Sequence, residues 1–467
     1  MIALTLAEVA EATGGRLTDT PDPGVVVSGP VVVDSRLCGP GGLFVAVRGA
    51  QVDGHDFAAA AVAAGAVAVL AARPVGVPAV VVGDVVAALG LLARAVLDRA
   101  PQVRIVGITG SSGKTTTKDL LAQVLDRHGP TVAPPGSFNN EIGLPLTVLR
   151  VQDGTRHLVV ELGARGPGHI AALSAIAPPS IGVVLNVGSA HLGEFGSRAV
   201  VAAAKGELVE ALGADGVAVL NADDPLVLAM AVRTAARVVT TGWDTDADVR
   251  AEDLSFTPVG YPRFRLIAAG AENGSEQVTL RVLGEHQVGN ALAAAAAGLV
   301  LGMALPDVAA ALSAAGPRSR WRMEVGQRPD GVTIVNDAYN ANPESVRAAL
   351  KTLVTMAGGR RTWAVLGEMR ELGADAVREH DAIGRLAVRL DVSRLVAVGA
   401  GTEPLHLGAV MEGSWGEESV HVPDLDTALA LLRAQLRPGD IVLVKASRAG
   451  GLERLAQALL DQPVDRT

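Results

Sequence analysis

Cysteine is almost absent from this 467-residue chain: Cys38 is the only one, which excludes a disulfide framework and a cysteine-built metal site. Aromatic residues make up only 3% of it, and the 49% apolar share is carried mainly by Ala and Val, a globular rather than a disordered composition. Positive charge is also short. The net charge of −9 argues against a broad nucleic-acid surface, while leaving room for a local cationic pocket. Lysine is the scarcest charge: Lys114, Lys118, Lys205, Lys351 and Lys445 stand among 40 basic residues. Where Arg supplies nearly all the surface charge, each Lys becomes a candidate for a role Arg cannot fill. Residues 1–30 lack the basic start, apolar core and cleavage site of a signal peptide. The one long uncharged run, Gln287–Pro306, is mostly Ala and Gly, includes Asn290 and ends in Pro306, so it reads as a buried helix and not as a membrane span. The expectation is a soluble cytoplasmic protein, monomeric by default, with neither nucleic acid nor membrane as partner.

The rest of the chain is organised around Val103–His128, VRIVGITGSSGKTTTKDLLAQVLDRH. A β-rich run meets a Gly/Ser loop, and a helix follows with Leu120, Leu121, Val124 and Leu125 at helical spacing. That order cradles phosphate. Gly110 and Gly113 let backbone N–H groups turn inward, and the helix N-terminus adds unpaired donors and partial positive charge. Lys114 would reach the β/γ-phosphates and the Thr115 hydroxyl would hold Mg²⁺. The loop departs from a strict P-loop, because Ile108 stands where the first Gly is expected.

Length and composition suggest about three domains. Residues 1–100 read as a small α/β unit, opening with a capped helix at Thr5–Glu8 and ending at a helix over Ala87–Ala100. Its Asp34-Ser35-Arg36 turn could hold a nucleotide or sugar, although from these residues alone turn chemistry is the better reading. Residues 101–315 read as repeated strand–helix units, hence a mainly parallel sheet, in which ligands bind beyond the carboxyl ends of the strands. Glu161 ends the run from His157, His191 follows the run Ile181–Val187, and Asn221 ends the run from Gly216. An acid and a His near a phosphate loop suit a Mg²⁺–ATP site. By spacing alone Lys205 is an ordinary helix-surface lysine, and Asn290 serves as well for a helix cap as for a base contact. Residues 316–467 repeat the strand–helix theme, with polar clusters at Asn336–Pro343, Gly367-Glu368 and Lys445–Arg448. Pro101 and Gly316-Pro317 are the short hinges, suited to closure around a substrate.

These stretches resemble the Mur ligase family over nearly the whole chain. TGSSGKTTTK (109–118) is similar to its ATP loop, and DSR (34–36), PGGLFVAVRG (40–49) and DGHDF (53–57) to its N-terminal UDP-binding domain. FNNEIGLPLTVL (138–149), ELGARGPGHI (161–170), NVGSAHLGEFGS (186–197), NDAYNANPESVRAAL (336–350) and VLGEMRELG (365–373) resemble the members that add D-alanyl-D-alanine. The family often has Asp where Asn336 and Glu368 stand. The resemblance implies an α/β fold of three domains, a central P-loop-type, mainly parallel sheet between a small N-terminal α/β domain and a C-terminal Rossmann-like one. It implies ATP-driven ligation of D-alanyl-D-alanine to UDP-N-acetylmuramoyl-tripeptide through an acyl phosphate. By the same resemblance, Gly110, Ser111, Ser112, Gly113, Lys114, Thr115, Thr116, Asn290, Arg322 and Asp337 would bind ATP. Two Mg²⁺ ions would be held by Thr115, Glu161, His191 and a carbamylated Lys205, with Lys114, Lys205 and His191 at the chemistry. Ser35, Arg36, Asn139, Asn140, Asn340, Asn342, Lys445, Ser447 and Arg448 would meet the substrates.

Two other readings stay open at this point. A ligase adding the third amino acid to UDP-N-acetylmuramoyl-dipeptide would share the N-terminal stretches, but the loop reads SSGK and no D-N-P-R motif is present. A nucleotide-gated regulatory protein lacks support from a guanine-reading N-K-x-D motif, since none of the lysines follows an Asn.

Overall fold

A computed structural model describes residues 1–188, 192–270, 274–413 and 418–461. Among these residues three sheets of five or more strands organise the fold, beside a two-stranded pair, Leu4–Thr5 with Val26–Val27. Near the N-terminus the expected cap is in place: the Thr5 hydroxyl accepts from Glu8 N while the Glu8 carboxylate accepts from Thr5 N, starting the helix Leu6–Thr13. The first sheet runs in the order Arg16–Thr18, Ala79–Val81, Ala66–Ala71, Gly42–Val45, Val31–Val32, parallel except at its first pairing. The helix Val85–Asp98 closes this region. Its Leu89, Leu92 and Val96 share one buried core with Leu144, Leu149 and Leu173 of the middle region, so the small unit is packed on its neighbour by apolar burial.

Among the described residues the middle sheet has nine strands. Its parallel part is ordered Thr131–Val132, His157–Glu161, Arg104–Thr109, Ile181–Val184, Val217–Asn221, Arg237–Gly242, Val249–Phe256. We call Arg104–Thr109 β1, His157–Glu161 β2 and Ile181–Val184 β3. From β1 the chain passes to strands on one side and then crosses to β3 on the other, so a topological switch point lies at the carboxyl end of β1. The expected mainly parallel sheet is present. An antiparallel extension, Pro262–Ala268 and Ser275–Thr279, lengthens it beyond the strand–helix units read from the sequence. The uncharged run at 287–306 supplies the helix His286–Val300, whose Ala291–Ala297 are buried in one core with side chains of β1 and β3, as its composition implied. Among the described residues no helix is long and apolar enough to cross a membrane.

The third sheet is ordered Glu324–Gln327, Thr333–Asn336, Ile441–Lys445, Thr362–Gly367, Arg394–Val398, Ser419–Val422, parallel apart from the first pairing. Helices such as Pro343–Ala357 and Glu453–Leu460 cover its two faces, giving two separate apolar layers.

Candidate active site

Five helices bring the functional side chains together: α1 Lys114–Asp126, α2 His169–Ile176, α3 Arg198–Glu210, α4 His286–Val300 and α5 Pro343–Ala357. They surround a cavity of about 1070 Å³ between the middle and C-terminal sheets. Its floor is the loop between β1 and α1. Gly113 caps α1 at φ 83°, and a Cβ there would stand 2.3 Å from Asn290 Oδ1, so both backbone sign and space demand glycine. Asn186, just past β3, holds the loop in shape: its Oδ1 accepts from Ser112 N at 2.9 Å and its Nδ2 donates to Ser112 O at 3.2 Å. Lys114 Nζ bonds back to Gly110 O, and burial lowers its pKa, with Glu161 opposing and Arg322 reinforcing the shift.

Behind the loop lies Glu161, the last residue of β2, fully buried. Its Oε2 accepts from the Thr115 hydroxyl at 3.3 Å, while its Oε1 has no hydrogen-bond partner. Burial raises this carboxyl's pKa, against the pull of Arg322, Lys118 and Lys114. An orphaned, buried carboxylate oxygen beside a hydroxyl fits a hard cation with oxygen ligands. Lys205 points to the same cavity from α3 and is 5% exposed, so the surface-lysine reading does not hold. Desolvation lowers its pKa well below the ordinary range, and the charge acting on it is a second cation, Lys114. His191 lies outside the described residues. Among the described ones, no three or more His, Cys, Asp or Glu side chains converge as a metal site.

The C-terminal unit forms the opposite wall. Arg322 lies 4.2 Å over the Tyr339 ring and donates to the Ser137 hydroxyl at 2.7 Å, and that hydroxyl is 2.6 Å from Thr115 Oγ1. Asp337 accepts from Met323 N at 3.1 Å and from Lys445 Nζ at 2.5 Å, and Lys445 also reaches Asn340 O at 3.0 Å. Asn342 caps α5 through Ser345 N at 2.9 Å, and its amide reaches Ser111 O at 3.5 Å. Asn290 is not a cap: it sits within α4, accepting from Thr117 Oγ1 at 3.2 Å and donating to Gln287 Oε1 at 2.7 Å.

The cavity thus gathers Ser111, Ser112, Gly113, Lys114, Thr115, Thr116, Glu161, Lys205 and Asn290 from the middle region. Asn139 and Asn140 join them, and Arg322, Asp337, Asn340, Asn342 and Lys445 come from the C-terminal one. Gly110 touches the site through Lys114. Ser35 and Arg36 do not line it; Arg36 pairs with Asp34 on the N-terminal unit. Ser447 and Arg448 also lie outside: Ser447 accepts from Arg370 N at 3.0 Å, and Arg448 covers the Trp321 ring at 4.1 Å. The sequence reading missed Ser137, Tyr339, Glu344 and His286 as cavity residues. His286 opens α4, and its imidazole is pushed down to about 4 by desolvation, which Asp337 opposes and Lys445 reinforces. Its place in GEHQVGN, four residues before Asn290, was the available signal.

Comparison with known proteins bears on this arrangement. Residues 30–104 match the Mur ligase family catalytic domain, 108–298 the Mur ligase middle domain, and 321–448 the Mur ligase glutamate ligase domain. A UDP-N-acetylmuramoyl-tripeptide–D-alanyl-D-alanine ligase of Mycobacterium tuberculosis is 55% identical, over 98% of this chain and 98% of its own. A MurF crystal structure from Acinetobacter baumannii superposes with a TM-score of 0.87 at 30% identity, covering 98% of this chain and 99% of that one. A MurF ligase from Thermotoga maritima in complex with ADP superposes with a TM-score of 0.78 at 30% identity, covering 92% and 97%.

Proposed function

The chain belongs to the Mur ligase family, and from that premise we propose that it uses ATP to join D-alanyl-D-alanine to UDP-N-acetylmuramoyl-tripeptide, forming the pentapeptide precursor of peptidoglycan. The observation that carries this reading is the single cavity in which the phosphate loop, Lys205 and the Asp337–Lys445 pair face one another. On this reading residues 1–100 hold the UDP-sugar through Ser35 and Arg36, residues 101–315 hold ATP, and residues 316–467 bring in the dipeptide and the far wall.

The chemistry follows from charge. A carboxylate is a poor nucleophile toward an anionic phosphate until cations lie between them. The loop amides of residues 110–116 and Lys114 hold the β- and γ-phosphates, Arg322 and Asp337 the nucleotide's polar groups, and Asn290 its base. One oxygen of the terminal carboxylate of the tripeptide attacks the γ-phosphorus, and ADP leaves. The amine of D-alanyl-D-alanine then attacks the acyl carbon and loses a proton, and phosphate departs with that carboxylate oxygen. Asn139, Asn140, Asn340, Asn342 and Lys445 orient the two reactants, with Ser447 and Arg448 at the edge. Holding them between two walls keeps water from the acyl phosphate. Thr115, Glu161, His191 and a carbamylated Lys205 would hold two Mg²⁺ ions, which would supply charge neutralisation on phosphate and carboxylate. The burial of Lys205 supports that modification, because only an uncharged amine adds to CO₂ and desolvation favours the uncharged form. Nucleotide-activated substrates and ATP place the reaction in the cytoplasm, and a monomer carries every residue named.

The test is phosphate release from ATP with UDP-N-acetylmuramoyl-tripeptide, comparing D-alanyl-D-alanine with single amino acids. Release that needs the dipeptide, and that Lys114→Ala and Lys205→Ala abolish, supports the reading. Release with UDP-N-acetylmuramoyl-dipeptide and one free amino acid would move the protein to the preceding ligase step.

A further inference from the structure

Gly316-Pro317 has the composition of a hinge between the middle and C-terminal units. In the fold it is held fast. Three side chains on one face of α1, at positions 119, 123 and 126, bind the connecting segment. The Gln123 amide grips Gly316 on both sides, donating to Gly316 O at 2.9 Å and accepting from Gly316 N at 3.1 Å. Asp119 Oδ2 accepts from Ser319 N at 3.0 Å, and Arg318 pairs with Asp126 at 3.0 Å. Asp119 is itself fixed, since its other oxygen pairs with Lys118, a buried lysine that also donates to Pro134 O at 2.8 Å. The helix that begins at the phosphate loop therefore carries residues 316–319 as part of its own body.

Immediately beyond, the backbone changes character. Trp321 and Met323, neither a glycine, both take left-handed conformations, with φ of 58° and 51°. Such residues persist where their surroundings over-determine them, and they mark places where a chain stores or absorbs dihedral change. Between them Arg322 turns back to Ser137 in the cavity, and Met323 N is bonded to Asp337. Trp321 is sandwiched from the C-terminal side: its carbonyl accepts from Tyr339 N at 3.2 Å, and Arg448 lies 4.1 Å over its ring.

We propose that Asp119 and Gln123 are positioning residues that lock residues 316–319 to the phosphate-loop helix, so that the C-terminal unit pivots about Arg320–Met323 and swings with Arg322. The proposal rests on the ATP-binding reading above and adds to it a mechanical link. The pivot contains Arg322, the arginine that meets the nucleotide, so the position of the loop helix sets where the far wall can close. A pivot at Gly316-Pro317 would instead leave Arg322 some residues removed from any fixed point.

Gln123→Met keeps the side-chain volume and removes both bonds to Gly316. We expect kcat to fall up to roughly thirtyfold for the two bonds lost, with the KM for UDP-N-acetylmuramoyl-tripeptide within about twofold of wild type because the N-terminal unit is untouched. In wild type, Trp321 emission should change on adding a non-hydrolysable ATP analogue; the change should disappear in Trp321→Phe and shrink in Gln123→Met. If Gln123→Met does not fold, Arg318→Ala takes its place with a smaller effect of the same sign. Wild-type kcat together with an undiminished emission change in the folded variant would overturn the proposal, as would a wild-type emission change that survives Trp321→Phe. Failure of the wild-type enzyme to make pentapeptide would refute the proposed reaction, while the emission experiment would still decide the pivot.

Discussion

Gly113→Ala is the substitution whose effect follows most directly from the geometry. An alanine there must keep φ 83° or rebuild the loop, and a left-handed alanine costs about 1 kcal/mol. Its Cβ would also stand 2.3 Å from Asn290 Oδ1, roughly an ångström inside contact distance. Asn290 is buried and cannot step aside without giving up its bonds to Thr117 and Gln287, each worth about 1 kcal/mol. The sum is about 3 kcal/mol, and it falls where the phosphates and base of ATP are bound. We expect the dissociation constant for ATP, measured by titration calorimetry, to rise roughly a hundredfold. The cause can be separated from general damage by a cycle with Asn290→Ala, which removes the atoms in the way. Adding Gly113→Ala to Asn290→Ala should weaken ATP binding by only about the left-handed alanine term, leaving a coupling near 2 kcal/mol. Affinity within about threefold of wild type for the single Gly113→Ala, or strict additivity in the cycle, would refute the reasoning.

Lys205→Arg keeps a cation of similar length but cannot form a carbamate; turnover should drop roughly a hundredfold or more, and, unlike wild type, the residual rate should not respond to CO₂ removal. Gly384 lies where the helices Ala376–Arg389 and Glu403–Glu412 touch, and a Cβ there would meet Leu405 O at 1.9 Å and Ala409 N at 2.8 Å. Because both neighbours are backbone, Gly384→Ala should destabilise the C-terminal unit by about 2–3 kcal/mol in denaturant titration. His157 is buried with its imidazole pushed down to about 4 by desolvation, then by His128, Arg156 and Arg104. The unfolded chain takes up a proton near pH 6.5 that the folded chain refuses until about 4, so stability is lost as pH falls through that window, by about 2 kcal/mol on reaching about pH 5. Between pH 7.5 and pH 5, roughly one unit either side of the free imidazole value, the melting temperature of wild type should therefore fall further than that of His157→Gln.

Much of this was legible in the sequence, for reasons that differ by region. The phosphate loop and its helix were readable because glycine spacing, Lys114 and the Leu120–Leu125 periodicity all point to one local structure. Glu161 and Asn221 were readable as strand ends, since the apolar runs before them stop there. The antiparallel extension was not seen, although Phe264 and Leu266 alternate with Arg263 and Arg265, the pattern of a strand with one buried face. Lys205 shows the limit of local reasoning. Among Ala and Glu neighbours it looks like a solvated residue, and only the packing of α3 beneath β1 and β3 turns it inward. Likewise Gly316-Pro317 looks like a hinge by composition, but its rigidity comes from Gln123, 193 residues away in sequence. Contacts of that separation leave no local periodicity to read.

The acyl phosphate is the centre of the account, and isotope transfer tests it most directly. UDP-N-acetylmuramoyl-tripeptide labelled with ¹⁸O in its terminal carboxylate would be incubated with ATP, Mg²⁺ and D-alanyl-D-alanine, and the released phosphate and the nucleotide peptide analysed by mass. The account predicts one ¹⁸O in each phosphate released, in step with a pentapeptide product that has lost one label from the same carboxyl. Unlabelled phosphate alongside pentapeptide would contradict the proposed order of bond making, and phosphate release without pentapeptide would contradict the ligation itself.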